Sequence, residues 1–315
     1  MQRICVIGGS RYFGILLVRR LQAAGHRVTL VNRGSTPPPP GVDHVVADRN
    51  DPAALEAALG SRTFDAVSDQ FCYSPLQAAE AVRVFGGRTR RYVMTSTIEV
   101  YNPATTALPP VPEDTLLSEG TVNPVGRPVD PGLPWRDQEF LDAHYSEGKR
   151  QAEAVFTREA PFEFATVRVA HVLGGGAQDF TGRLAHYTDR IVRGEEIAVH
   201  ARALPSSFVH HEEMADCLLW AATETDFTGP LNACSDGTLD VHGLTAAVTA
   251  RTGRAPRFRT VAEGEEASPY SFDRHYAMSN ARAADLGFRF SPVGDWLPSA
   301  VDEALAAATL PAGSS

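Results

Sequence analysis

Arg3-Ile4-Cys5-Val6-Ile7-Gly8-Gly9-Ser10-Arg11-Tyr12-Phe13-Gly14, continued by Ile15-Leu16-Leu17-Val18-Arg19-Arg20-Leu21-Gln22-Ala23-Ala24-Gly25, is the stretch on which the fold turns. It reads as a strand, a glycine turn and a helix. Glycines at such a turn let main chain approach a pyrophosphate, and the helix start adds unpaired N–H groups and a positive dipole end. A second strand, Arg27 to Val31, follows at the distance expected of a βαβ unit. The segment therefore predicts a dinucleotide site built on a parallel sheet.

The alternation continues. Strands are predicted at His44 to Ala47, Phe64 to Ser68, Arg91 to Thr95 and Glu163 to Val169, with helices at Pro52 to Leu59, Pro75 to Phe85 and Leu141 to Ala160. Pro37-Pro38-Pro39-Pro40 is a stiff linker. Asn102 to Gln138, rich in Pro and Gly, reads as a long loop and a candidate lid, because loops at the carboxyl ends of such strands border the site. After Gly174-Gly175-Gly176 the pattern is less regular, with helices near Gly182 to Arg193, Glu212 to Thr225, Val241 to Thr252 and Pro292 to Ala307. The fold class expected is α/β: a Rossmann-like, doubly wound parallel sheet over residues 1–174, then a smaller substrate-binding lobe over 175–315, with some interleaving of elements.

The 315 residues, 43% hydrophobic and 21% charged, suffice for a sizeable core. No apolar run approaches the roughly 20 residues of a membrane helix, and the first strand begins beside Met1 without a basic and apolar leader, so a cytoplasmic protein with no membrane partner is expected. A formal net charge of −9 with dispersed arginines argues against a nucleic-acid partner. Cys5, Cys72, Cys217 and Cys234 form no Cys-x-x-Cys pair and read as buried reduced thiols. His210-His211-Glu212-Glu213-Met214-Ala215 superficially resembles a zinc motif, but Ala215 stands where the second helical histidine is required, so no metal is expected.

Tyr145 and Lys149, in Tyr145-Ser146-Glu147-Gly148-Lys149, fall on one helix face. A phenol of pKa about 10 is a poor base at neutral pH unless a cation favours its anion, and an ammonium one turn away can do so. The pair suits proton transfer to or from an alcohol or ketone oxygen.

The glycine turn, the segment Thr95-Ser96-Thr97-Ile98-Glu99-Val100-Tyr101 and the Tyr145/Lys149 pair together resemble the extended short-chain dehydrogenase/reductase superfamily, and more narrowly its NAD(P)-dependent epimerase/dehydratase family. The likeness extends through Val167 to Gly174, Ser207 to His210 and Asn280 to Phe288. It implies that Thr97 holds the reacting oxygen, Tyr145 is the acid/base and Lys149 its tuner. Glu99 resembles the glutamate with which 4,6-dehydratases remove a proton beside a transient ketone, while Ile98 replaces an aspartate acid, leaving a loop residue such as Glu113 or Asp114, or a water, as donor. His171 replaces an asparagine that helps epimerases hold substrate phosphate. The turn itself resembles a variant found in a subgroup that includes chloroplast stem-loop RNA-binding proteins.

The second strand ends in Asn32-Arg33-Gly34, without the acid that usually binds a ribose hydroxyl, and Arg11 lies in the turn. Two arginines and no carboxylate favour NADP(H) over NAD(H). The cofactor contacts expected are Gly8, Ser10, Arg11, Tyr12, Phe13, Gly14, Asn32, Arg33, Asp48, Arg49, Gln70, Phe71, Thr95, Tyr145, Lys149, Val169 and Val172. Those of a small-molecule substrate are Thr97, Glu99, His171, Arg183, Arg202, Phe208 and Tyr270. The leading expectation is transient oxidation of a sugar carbinol on a nucleotide sugar or nucleoside, followed by epimerisation or dehydration. The alternatives are an NADPH-dependent ketone or aldehyde reductase and a non-catalytic dinucleotide-dependent binding protein. The resemblance also implies a homodimer through the helices near Leu76 to Phe85 and Leu141 to Ala160.

Overall fold

The computed structural model describes residues 1–102, 105, 112, 115–262, 264–275 and 277–308. β1 (Arg3–Ile7) passes through the glycine turn into α1 (Phe13–Ala23), then β2 (Arg27–Asn32), β3 (Asp43–Val46), α2 (Pro52–Leu59), β4 (Phe64–Asp69), α3 (Pro75–Phe85) and β5 (Thr89–Thr97). A 3-10 turn, Ile98–Tyr101, follows, and the long connection ends in α4 (Gln138–Ala143), α5 (Tyr145–Glu159) and β6 (Glu163–Val169). Then come β7 (His171–Leu173), α6 (Arg183–Arg193), β8 (Glu196–Val199), β9 (Phe208–His210), α7 (His211–Thr223) and β10 (Gly229–Ala233). The chain continues through α8 (Val241–Thr252), β11 (Arg257–Thr260), α9 (Ala281–Asp285) and α10 (Val293–Ala308).

Seven parallel strands form the main sheet in the order β3-β2-β1-β4-β5-β6-β10. The chain winds outward from β1 to β3 and then returns to lay β4 on the other side of β1. This reversal opens a crevice at the carboxyl ends of β1 and β4. Strand alternation divides the apolar residues between two faces. Ile4 and Val6 join Leu17 and Leu21 of α1 and Met214 and Leu218 of α7 on one face, whereas Cys5 and Ile7 join Leu55 of α2, Phe85 of α3 and Phe156 of α5 on the other. A third cluster, including Leu184, Tyr187, Phe208, Val248, Trp296 and Val301, forms the core of a smaller lobe beside the sheet. β10 pairs with β6 from Gly229↔Ala165 to Ala233↔Val169, so late residues complete the early sheet.

Several bounds differ from the sequence reading. The helix expected over Leu141 to Ala160 is two, broken at His144, whose ring stacks on Phe140 at 3.9 Å and whose Nδ1 lies 2.9 Å from the Phe140 carbonyl oxygen. Tyr145 therefore opens α5 instead of lying within a longer helix. β5 extends through Thr97, which pairs with Val169, so Thr97 is the last strand residue. Glu113 and Asp114 lie outside the described residues.

Candidate active site

Gly8 and Gly9 adopt φ of 88° and 71°, and a methyl on Gly9 would meet Val6 Cγ1 at 2.8 Å. A methyl on Gly14 would lie 2.7 Å from Gly9 Cα, so the turn and the start of α1 touch through main chain. No side chain caps α1 and no acid lies in its first turn, in contrast to α2, α3 and α8, capped by Asp51, Ser74 and Asp240. An uncapped helix start bordered by flexible glycines fits a pyrophosphate. A cleft of about 390 Å³ opens there, lined by Gly8, Ser10, Arg11, Tyr12, Phe13, Asn32, Arg33, Asp48, Arg49, Gln70 and Phe71 from the expected set. Ser35, Thr36, Asn50, Tyr73 and Phe180 also line it and were not anticipated. Phe180 comes from the loop before α6 and carries no sequence signal for this place.

The Asn32 amide is committed to the protein: it donates to Ser10 Oγ at 2.8 Å, and its oxygen accepts from Gly34 N at 2.8 Å and lies 2.8 Å from His44 Nε2. Arg11 and Arg33 are exposed on the cleft and make no ion pair among the described residues. Arg49, also expected at the cofactor, is largely engaged within the protein. Its guanidinium lies 3.1 Å from the fully buried Asp69 carboxylate and donates to the Phe71 and Gln77 carbonyls at 2.5 and 3.2 Å. Tyr92 donates to the same Asp69 at 2.6 Å. Arg49 thus neutralises a buried acid beneath the cleft floor, leaving only its edge to a ligand.

The structure brings Thr97, Glu99 and Tyr145 together. Burial pushes the Tyr145 phenol above the ordinary range, a hydrogen bond with Thr97 pulls it back, Glu99 raises it and Arg183 lowers it. Lys149 is not among these influences. Its Nζ donates to the Thr95 carbonyl at 2.8 Å, lies 4.3 Å over the Tyr73 ring and stands 5.8 Å from the Tyr145 ring centre. Burial lowers its pKa to about 8. The Tyr73 ring, 5.9 Å from that of Tyr145, is the group that spacing arguments missed. Glu99 is half-buried in the 3-10 turn after β5, and Asn102 donates to its carboxylate at 2.9 Å.

Substrate-lobe candidates gather on the other side. Arg183, the first residue of α6, hydrogen-bonds Tyr270 and acts electrostatically on His171 as well as Tyr145. His171 is buried among Phe208, Tyr270 and Phe272, at ring separations of 5.5, 5.2 and 5.2 Å. Burial, aided by Arg183, lowers its pKa to about 3, so the ring is neutral and Arg183 supplies the cation. Arg202 lies exposed in the loop joining β8 to β9.

A buried network fixes α5 beneath the site. Glu153 of α5 pairs with Arg168 of β6 at 2.6 Å and accepts from Ser96 Oγ at 2.6 Å, while Arg168 also donates to Tyr101 Oη and the Glu119 and Val122 carbonyls. Strand, helix and the long connection are therefore cross-linked behind Tyr145.

A reversal-point cleft lies beside a hydroxyl, phenol and ammonium set, an arrangement that suits a dinucleotide next to a proton-transfer group. Residues 4–70 match the model of the NAD dependent epimerase/dehydratase family. The whole chain shares the fold of the Thermus thermophilus UDP-glucose 4-epimerase solved with NAD, at TM-score 0.69, 20% identity, and coverage of 97% of this chain and 99% of that one. It likewise superposes on the Bacillus anthracis dTDP-glucose 4,6-dehydratase solved with NAD, at TM-score 0.72, 13% identity and 97% coverage of each. In sequence it is 36% identical over 132 residues to 2'-dehydrokanamycin reductase of Streptomyces kanamyceticus, covering 38% of this chain and 37% of that protein. The chain thus spans little more than a third of that relative's length.

Proposed function

We propose that this chain is an NAD(P)-dependent enzyme of epimerase/dehydratase type that oxidises a carbinol of a nucleotide sugar or nucleoside to a transient ketone, then epimerises or dehydrates it. The observation that carries the reading is the grouping of Thr97, Tyr145 and Glu99 around one phenol. The nicotinamide, when bound, supplies hydride uptake and return. Thr97 and Tyr145 hold the reacting oxygen, and Tyr145 takes or gives its proton. Glu99, which accepts a hydrogen bond from Asn102, removes the proton that a neighbouring ketone has made acidic. The open start of α1 holds the pyrophosphate, and Arg11 and Arg33 hold a ribose phosphate, which favours NADP(H). Arg183, with Tyr270, holds an anionic part of the substrate.

Incubation with nucleotide sugars and nucleosides in deuterated water tests this, with solvent label and cofactor redox state followed together. Carbon-bound deuterium without net cofactor turnover is the expected result, and Glu99→Gln should stop label uptake while sparing hydride transfer. Stoichiometric NADPH consumption without label would replace this reading with a second one, a ketone reductase of a small-molecule pathway. The partial likeness to a protein named as a reductase favours that second reading. We also infer a cytoplasmic homodimer through α3 and α5, which pack side by side on one face of the sheet. Light scattering at micromolar concentration tests the dimer. No helix among the described residues is long and apolar enough to cross a membrane.

A further inference from the structure

His210 ends β9 and His211 opens α7, and this strand-to-helix junction sets their rings at 77° with centres 4.5 Å apart. Both rings face the bend after β7. A methyl on Gly174, whose φ is 99°, would sit 2.5 Å from His211 Nδ1 and 2.8 Å from His210 Nε2, so the two nitrogens converge over one glycine. Among the described residues neither nitrogen has a hydrogen-bond partner, and His211 is only 5% exposed. Buried polar atoms without partners are rare in folded proteins, and two converging on one place require a ligand or an explanation.

Glu303 of α10 completes the group. One carboxylate oxygen accepts from Gly175 N at 2.6 Å, and a donor atom from each of His210, His211 and Glu303 lies within 4.8 Å of the other two.

We propose that His210, His211 and Glu303 form a binding site for one divalent transition-metal ion, zinc above all. Two imidazole nitrogens and a carboxylate are a donor set for zinc and its first-row neighbours, whereas magnesium and calcium take oxygen. Metal–donor bonds of about 2.0–2.2 Å need the three groups to close by only small side-chain rotations from their present separations. The Glu303–Gly175 contact serves as the outer bond that orients the carboxylate. The Tyr12 ring stacks on that of His211 at 5.8 Å and 6°, and the Tyr12 hydroxyl is buried without a partner among the described residues. The ion therefore ties α10, the β9–α7 junction and the Gly174–Gly175 bend to the residue that precedes α1. Its role is to lock the smaller lobe against the nucleotide turn, with no electron transfer. The zinc-like spacing sought along a single helix misses this site, because the third ligand comes from the far end of the chain.

The test uses the full-length chain stripped with EDTA and titrated with Zn²⁺ alone, read by native mass spectrometry and by competition with a chromogenic chelator. One ion per chain is expected, with binding at least tenfold weaker in Glu303→Gln, which keeps an oxygen for Gly175 N, and in His211→Asn. The thermal midpoint should rise with Zn²⁺ in the parent and not in either variant. Equal midpoints of parent and variants in EDTA show that the variants fold; if one does not, His210→Gln takes its place. Absence of stoichiometric zinc from the parent, or undiminished binding in the variants, overturns the proposal.

Discussion

Lys149 carries its ammonium in a space closed to water, over the Tyr73 ring and against the Thr95 carbonyl. Its pKa falls from 10.5 to about 8 through burial, so the folded state loses this proton more readily than the unfolded chain does. Below about pH 8 both states hold the proton and the full penalty of the buried charge is present. The penalty is relieved as pH rises from about 8 towards 10.5, the window in which only the unfolded chain remains charged. The shift corresponds to at most roughly 3 kcal/mol. Lys149→Met should therefore abolish turnover while raising unfolding free energy at pH 7, measured by urea denaturation; a loss of stability would mean that the ammonium is a structural prop. Tyr145→Phe should remove turnover and leave dinucleotide binding intact by fluorescence titration. At the end of β2, Arg33→Ala should weaken NADP(H) at least tenfold more than NAD(H) in calorimetry, because Arg33 is an exposed cation on that part of the cleft. Equal losses would mean that Arg33 touches a part shared by both cofactors. The Tyr145/Lys149 pair could be picked out by its spacing on one helix face, and Thr97 only through the family resemblance. Tyr73 could not be, since its place beside Lys149 depends on how α5 crosses the end of β4.

That crossing is close. A methyl on Gly148 would lie 2.2 Å from the Tyr73 carbonyl oxygen and 3.2 Å from the Trp135 ring, so the glycine between Tyr145 and Lys149 lets α5 rest on main chain. Helix propensity alone would favour Gly148→Ala by about 1 kcal/mol. The collision involves backbone, which cannot rotate away, and overpacking of this kind costs about 1–3 kcal/mol. Sterics win, and Gly148→Ala should lower both stability and turnover by displacing Tyr145 and Lys149 together; normal kinetics with a raised thermal midpoint would show that the contact yields. The helices and strands of the first half were readable because each is a long apolar or amphipathic run bounded by Gly or Pro. β7 and β9, with three residues each, are too short to display a period of two, and the break at His144 depends on a ring stacking on Phe140 that no helical pattern encodes.

At the scale of the whole molecule, the parallel order and the crevice were foreseeable from the strand–helix alternation, because right-handed crossovers permit few other arrangements. What sequence could not show is that β10 comes back from beyond α7 to lie against β6. The consequence concerns synthesis more than catalysis. A nascent chain that has emerged only as far as residue 174 holds β6 as a bare edge, with unpaired amides and carbonyls from Ala165 to Val169 ready to accept a strand from any neighbour. A fragment ending at 174 should therefore sediment as aggregate, whereas one extended to 240 should remain dispersed on ultracentrifugation. β10 thus acts as a late-arriving closure, and the ribosome must deliver well over two hundred residues before the sheet is safe from its own kind.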